Sequence, residues 1–280
     1  MLEFWPSNLT LTVVQALCVL LPAAGLPLWM RRMSGWGWAL VPPVSIVACV
    51  VGIELLPDTA DGLTWLALIA CPPLAAAALG WAMHGARPWL ALVAIPLLYV
   101  GWTNQDALVG EACLTALTAL SCVTLGRLIA GVTPLTWLKV GIVAMAAIDA
   151  YLVFSKKLEE PNNALNAAVP APGLPQLQSA TFGSAVIGYG DYFVAGVLGA
   201  IAAAQGTRQW AMAGLTFGCL WLFDLLFLLD SVDSLPATVP VAVALLVSEV
   251  VRHRPRQPAE VSASAASLPG PRTPRRPAGR

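Results

Sequence analysis

Residues 182–204 read FGSAVIGYGDYFVAGVLGAIAAA, an apolar run with the length of a membrane-spanning helix. Its one carboxylate, Asp191, is then expected near the middle of the hydrocarbon. A second carboxylate, Asp149, lies within the preceding apolar run. An ionisable group at this depth costs at least about 2.5 kcal/mol, so two of them in adjacent helices indicate a pair that acts together.

The composition of the whole chain predicts the same class of protein. Of its 280 residues, 58% are hydrophobic and 11% are charged, against roughly a quarter charged in soluble domains. We therefore expect an integral membrane protein with the lipid bilayer as a partner. The formal net charge of +0 provides no basic surface, so we expect no nucleic-acid partner.

Side chains that commonly hold metal ions are scattered. The six cysteines fall within apolar runs without a close C-x-x-C pair, which is typical of packing residues, and the chain has two histidines. We therefore predict no metal site and no cofactor. The cysteines are Cys18, Cys49, Cys71, Cys113, Cys122 and Cys219.

A scan of hydrophobicity along the chain with a window of about 20 residues gives nine candidate membrane spans. Most connections between them are short, as in a compact bundle, so the predicted fold is an all-α integral membrane protein. The spans cover 9–30, 36–56, 63–83, 88–103, 107–131, 134–155, 182–204, 208–230 and 235–251.

The predicted organisation has three parts. Residues 1–133 form an N-terminal five-helix membrane part, 134–251 form a four-helix part with the candidate catalytic residues, and 252–280 form a basic tail. The tail is rich in Pro, Ser, Ala and Arg, so we expect it to be disordered. One connection is long: the segment from Lys156 to Thr181 is rich in Pro and Asn, and we expect it to be neither helical nor buried.

Charge placement predicts the orientation. The connections after the odd-numbered spans and the tail carry most of the basic residues, whereas the opposite side carries two lysines and most of the acids. The positive-inside rule then puts the N-terminus outside and the C-terminus in the cytoplasm of a multi-pass protein, which we expect in a prokaryotic plasma membrane. The basic residues on the inner side are Arg31, Arg32, Arg87, Arg127, Lys139, Arg208 and the arginines from Arg252 onward.

Both carboxylates are predicted at similar depth. Asp149 lies about two helical turns before Lys156, and Asp191 lies a little under three turns after Thr181. Two adjacent carboxylates in a low dielectric share one proton. This is the arrangement of an aspartic protease, in which the ionised member takes a proton from the attacking water and the protonated member donates a hydrogen bond to the amide carbonyl.

Three short motifs carry a resemblance to a known family. They are Ile148-Asp149-Ala150-Tyr151, Gly188-Tyr189-Gly190-Asp191 and Leu235-Pro236-Ala237-Thr238, in the sixth, seventh and ninth predicted spans. Together they resemble the presenilin and signal peptide peptidase family of intramembrane aspartyl proteases. The chain departs from the family pattern at Ile148, where the family usually has Tyr, and at Thr238, where it has Leu.

The resemblance implies a fold, an activity and a site. The fold is a nine-helix bundle of presenilin-like type, and the activity is cleavage of a transmembrane peptide or signal-peptide remnant. The implied catalytic residues are Asp149 and Asp191. The implied substrate-binding residues are Gly188, Tyr189, Gly190, Leu235, Pro236 and Ala237.

Glycine and proline indicate how a substrate is held. Gly188 and Gly190 lack a Cβ, which lets a substrate backbone or a partner helix approach Asp191. Pro236 and Pro240 weaken the start of the ninth helix, so we expect free carbonyls there that face the site. A cleavable peptide must be extended, and the long loop and residues 235–237 are expected to pair with it by strand addition.

Other functions use the same residues. A prepilin-peptidase-like protease also has a Gly-x-Gly-Asp, although Val-Lys usually follows it and Tyr192-Phe193 follow it here. A proton-coupled transporter or a non-catalytic membrane scaffold needs only the buried carboxylates. A third carboxylate, Asp224, is interpreted as a hydrogen-bonding group between helices.

Overall fold

Helices make up most of the structure, a computed structural model that describes residues 4–25, 32, 34–56, 58–225 and 236–253. Two short strands, β1 (Ser179–Phe182) and β2 (Ala185–Gly188), form an antiparallel hairpin. The helices are α1 (Phe4–Leu20), α2 (Val41–Leu55), α3 (Asp58–Ala77), α4 (Ala94–Thr103), α5 (Leu108–Val132), α6 (Leu135–Phe154), α7 (Glu159–Ala167), α8 (Tyr189–Ala204), α9 (Gln209–Asp224) and α10 (Thr238–His253).

Short helical turns extend three of these elements. A 3₁₀ turn at Trp36–Leu40 leads into α2, another at Pro88–Val93 leads into α4, and a π turn at Ala78–Ala82 continues α3. Within the described residues, four helical segments are long and apolar enough to cross a membrane. They are Trp36–Leu55, Asp58–Ala82, Leu108–Val132 and Leu135–Phe154.

The outward faces of the helices are apolar. On α1, Leu9, Val13 and Leu17 recur every fourth residue, and each is more than 40% exposed. α2, α3, α6 and α10 also carry exposed large aliphatic side chains. A soluble monomer rarely exposes so much continuous apolar surface, so these faces are compatible with contact with lipid.

Helix α8 forms the centre of the core. Residues 192–202 are all buried, and α8 packs against α1, α5 and α10. The approach to α5 needs glycine on both helices, since a Cβ added at Gly126 would lie 2.3 Å from the carbonyl carbon of Gly196. Small residues at a crossing let two backbones pack closely within a membrane.

The predicted span 182–204 is wrong in its first third. Phe182 ends β1 and residues 185–188 form β2, so the helix begins only at Tyr189. The hairpin turn is Gly183-Ser184, with Gly183 at φ +61°. A positive φ at the first of two central residues is typical of a type II′ turn, which glycine adopts without strain.

The expectation for the segment from Lys156 to Thr181 is also wrong. α7 occupies 159–167, and Leu177, Gln178 and Ala180 are buried. Gln178 holds the segment together, because its Nε2 donates to the carbonyl oxygens of Leu165 and Ala168. The predicted disordered tail lies outside the described residues, apart from Arg252 and His253 at the end of α10.

The glycine contact between α5 and α8 leads to a stability prediction. Gly126→Ala is expected to lower the free energy of unfolding in detergent by about 1–3 kcal/mol, because the added methyl group collides with backbone rather than with a mobile side chain. Gly214→Ala on α9 is the control, since a Cβ there has no atom within 4 Å. Thermal or denaturant unfolding measures both, and equal stability of the two variants contradicts the packing argument.

Candidate functional site

Asp149 is buried near the end of α6 and is held by the start of α10. The Oγ1 of Thr238 donates a hydrogen bond of 2.5 Å to Asp149 Oδ2, and the backbone N–H of Thr238 lies close to this carboxylate. Thr238 is the first residue of α10. The free N–H groups and the dipole at a helix N-terminus stabilise negative charge, so α10 offers Asp149 a polar partner inside an apolar core.

Asp191 lies in the first turn of α8 rather than at mid-helix. Gly188 is the N-cap residue, Asp191 is the third residue of the helix, and the Gly188 N–H lies close to the Asp191 carboxylate. An acidic side chain at this position that reaches back to the N-cap N–H is half of a capping box. The Gly-x-Gly-Asp spacing is therefore also the spacing of a helix start.

The two glycines differ in how much room they have. A Cβ at Gly188 would lie 3.3 Å from Asp191 Oδ2, which is tight. A Cβ at Gly190 would lie 3.6 Å from the Met145 Cε of α6, an ordinary contact. Gly190 thus marks the place where α6 reaches α8.

The structure brings together the parts of the three motifs that it describes. The carboxylates of Asp149 and Asp191 are near enough to interact electrostatically. α10 packs against both α6 and α8, so the start of α10 reaches both helices that carry a carboxylate. The fold therefore brings these two residues from separate apolar runs into one region, around the start of α10.

A fourth residue, Gln15 of α1, joins this cluster. It is fully buried, and its Nε2 lies 3.4 Å from both the Asp191 carbonyl oxygen and the Ala237 carbonyl oxygen. Sequence reasoning missed it. The available signal was the spacing of Asn8, Thr12 and Gln15, which places three polar side chains on one face of an apolar helix.

The expectation of free carbonyls at the start of α10 is wrong for two residues. The Pro236 carbonyl oxygen accepts a hydrogen bond of 3.1 Å from the Val239 N–H, and the Ala237 carbonyl oxygen faces Gln15. Leu235 lies outside the described residues. Pro236 and Ala237 thus lie beside the carboxylates, with their carbonyls already engaged.

The side chain of Tyr189 contacts α5. Its hydroxyl lies 2.9 Å from Ser121 Oγ, and its carbonyl oxygen accepts a 3.6 Å hydrogen bond from Cys122 Sγ. Tyr189 therefore helps to fix the start of α8 against α5.

Asp224 interacts with α1 through hydrogen bonds. Its Oδ2 accepts from Asn8 Nδ2 at 2.8 Å and from Thr12 Oγ1 at 3.4 Å. This confirms its interpretation as a hydrogen-bonding group between helices. Over the residues that the structure describes, no group of three or more His, Cys, Asp or Glu side chains could hold a metal ion.

Comparisons with known proteins give no relatives: the chain has no significant match to a protein-family model, a curated protein or a solved structure.

The contact of Gln15 with two carbonyls can be tested through stability. Gln15→Leu is expected to lower the free energy of unfolding by about 0.5–1.5 kcal/mol, because the substitution removes the contacts of the buried amide with the carbonyl oxygens of Asp191 and Ala237. Differential scanning fluorimetry in detergent measures the change.

The matched control is Thr216→Val on α9, since Thr216 Oγ1 is buried without a hydrogen-bond partner among the described residues. Removing that hydroxyl should cost nothing or stabilise the protein. If Gln15→Leu is as stable as the control, the contacts of Gln15 do not stabilise the site.

Proposed function

We propose that the protein is an intramembrane aspartyl endopeptidase that cleaves transmembrane peptides or signal-peptide remnants. The observation that carries this proposal is the meeting of Asp149 and Asp191 beside residues 236–238 at the start of α10. The presenilin-like assignment and the nine-span bundle belong to the same proposal. They are supported by the three motifs and by the mostly helical fold.

In the proposed reaction the pair holds one proton. The ionised carboxylate accepts a proton from water as the water oxygen bonds to the amide carbon, and the protonated carboxyl donates to the carbonyl oxygen. Collapse of the tetrahedral intermediate breaks the C–N bond, and a proton passes to the leaving nitrogen. One water is consumed, and the pair returns to its single shared proton.

The hairpin supports the proposed handling of the substrate. Phe182 and Ala185 close the two-residue turn as a hydrogen-bonded pair. Because hydrogen-bonded and non-hydrogen-bonded pairs alternate along an antiparallel ladder, the N–H and C=O of Val186 point away from β1. The outer edge of β1 is covered by α5, where Thr115 Oγ1 donates to the Thr181 carbonyl oxygen at 3.1 Å. Val186 is 51% exposed, and we propose that an extended substrate pairs with its outward-facing backbone groups, next to α1.

We also propose that the protein lies in a prokaryotic plasma membrane with its N-terminus outside. Contacts at one end of the bundle support the placement of Arg127 and Lys139 on the same, inner side of the membrane. Arg127 of α5 donates to the carbonyl oxygens of Ala24, Gly25 and Trp81, which follow α1 and extend α3. Lys139, near the start of α6, pairs with Glu249 near the end of α10 at 2.6 Å. The carboxylate pair and the hairpin then lie toward the outer side.

The proposed activity depends on both carboxylates. In a cleavage assay of the purified protein with a synthetic single-span peptide, Asp149→Asn and Asp191→Asn are each expected to lower the rate at least about a thousandfold. Mass spectrometry of the products, with and without a hydroxyethylene transition-state analogue, measures the effect.

Asp224→Asn is the matched control, because Asp224 binds α1 and takes no part in the proposed reaction. It should keep the rate within about threefold of wild type. An equal loss in Asp224→Asn and Asp191→Asn, with both proteins folded, would mean that the wrong carboxylates are paired. An intact peptide with the wild-type protein would favour a proton-coupled transporter or a scaffold.

The orientation has its own test. In a background without the native cysteines, a cysteine at Asn163, which is exposed on α7, should react with a membrane-impermeant reagent in intact cells. A cysteine at Ser264 in the tail should react only after permeabilisation. The reverse pattern contradicts the orientation, which was inferred from the basic residues.

A further inference from the structure

The hydroxyl of Thr238 touches one of the two proposed catalytic groups directly. Thr238 is 1% exposed and Asp149 is 7% exposed, so water does not compete for their contact. Their O···O distance of 2.5 Å lies in the range of a hydrogen bond from a hydroxyl to an ionised carboxylate. The hydroxyl is the donor, and Oδ2 is the acceptor.

The Thr238 hydroxyl limits the rotation of the Asp149 carboxylate. Its 2.5 Å hydrogen bond engages one carboxylate oxygen, Oδ2, and the Thr238 N–H lies close to the same carboxylate. With Oδ2 occupied by Thr238, Oδ1 is the oxygen left for a shared proton or for the attacking water. The geometry therefore distinguishes the two oxygens of this carboxylate.

An ion pair farther along α10 fixes the position of Thr238, the first residue of that helix. The ion pair between Lys139 and Glu249 joins α6 to α10, and Glu249 also accepts from Arg252 at 3.3 Å. Lys139 lies ten residues before Asp149 and Glu249 eleven residues after Thr238, so the two contacts are about 15 Å apart. Two such points fix how far α10 can slide along α6.

We infer that Thr238 is a positioning residue for the proposed hydrolysis, whose hydroxyl orients Asp149 as the proton acceptor toward the attacking water. This inference rests on the proposed protease function. It also gives a role to a residue at which the chain departs from the family pattern, because a leucine at this position has no hydroxyl to donate.

The test compares Thr238→Val, which keeps the shape and loses the hydroxyl, with Thr238→Ser, which keeps the hydroxyl. Thr238→Val is expected to lower kcat about tenfold or more with KM within about twofold of wild type, because the donor acts on the reacting carboxylate rather than on substrate binding. Thr238→Ser is expected to keep kcat within about threefold of wild type. Thr216→Val makes the same chemical change at a buried site without a partner among the described residues, and it should keep both constants.

Each other result overturns the inference. Wild-type kcat in Thr238→Val shows that the hydroxyl is not needed. Equal losses in the Val and Ser variants assign the effect to packing, and a rise in KM alone assigns Thr238 to substrate binding. Failure of the proposed function looks different, because the wild-type protein and Asp191→Asn are then equally inactive, and the positioning role falls with it.

Discussion

The fold depends on how a carboxylate is kept in an apolar interior. Neither Asp149 nor Asp191 has a basic partner among the described residues, and each carboxylate instead lies beside the start of a helix. The Asp191 carboxylate lies beside the Gly188 N–H at the start of its own helix, α8, and Asp149 accepts from the Thr238 hydroxyl at the start of α10. Backbone donors at helix ends are fixed in space by the helix behind them. α10 packs against both α6 and α8, so the starts of α8 and α10 lie in the same region of the fold.

This arrangement makes the first half of the chain part of the same core. α8 is surrounded by α1 and α5, whose close approaches rest on glycines: a Cβ at Gly199 would lie 2.2 Å from the Val19 carbonyl oxygen. The Gln15 amide then reaches from α1 to the backbone beside both carboxylates. A helix without a recognisable motif thus supports the site, since a buried amide that faces two carbonyls fixes their separation.

The sequence predicted what depends on composition and spacing, and it missed what depends on contacts across the chain. Helical character and the proximity of Asp149 to Asp191 followed from apolar runs and from the cost of burying charge. The hairpin was missed because the apolar residues of 182–188 merged with those of α8 in a 20-residue window, although Gly183-Ser184 was a visible turn signal. Gln15 and Thr238 were missed as site residues because their partners lie more than 80 positions away. The ordered segment before the hairpin was missed because its prolines and asparagines resemble those of a loop, whereas Gln178 and α7 give its backbone internal partners.

The hairpin explains why Asp191 lies at a helix start. A continuous helix over 182–204 would satisfy its own backbone and leave no edge for an extended peptide. Breaking that helix at Gly188 exposes backbone groups, and residues outside the hairpin pair two of them: the Tyr189 N–H donates to the Gln178 carbonyl oxygen at 3.3 Å, and Glu111 accepts from the Gly183 N–H at 2.7 Å. The backbone groups of Val186 then face away from β1, just before the first turn of α8. The same break that places Asp191 beside the Gly188 N–H therefore also creates the strand against which a proposed substrate would end beside the carboxylate pair.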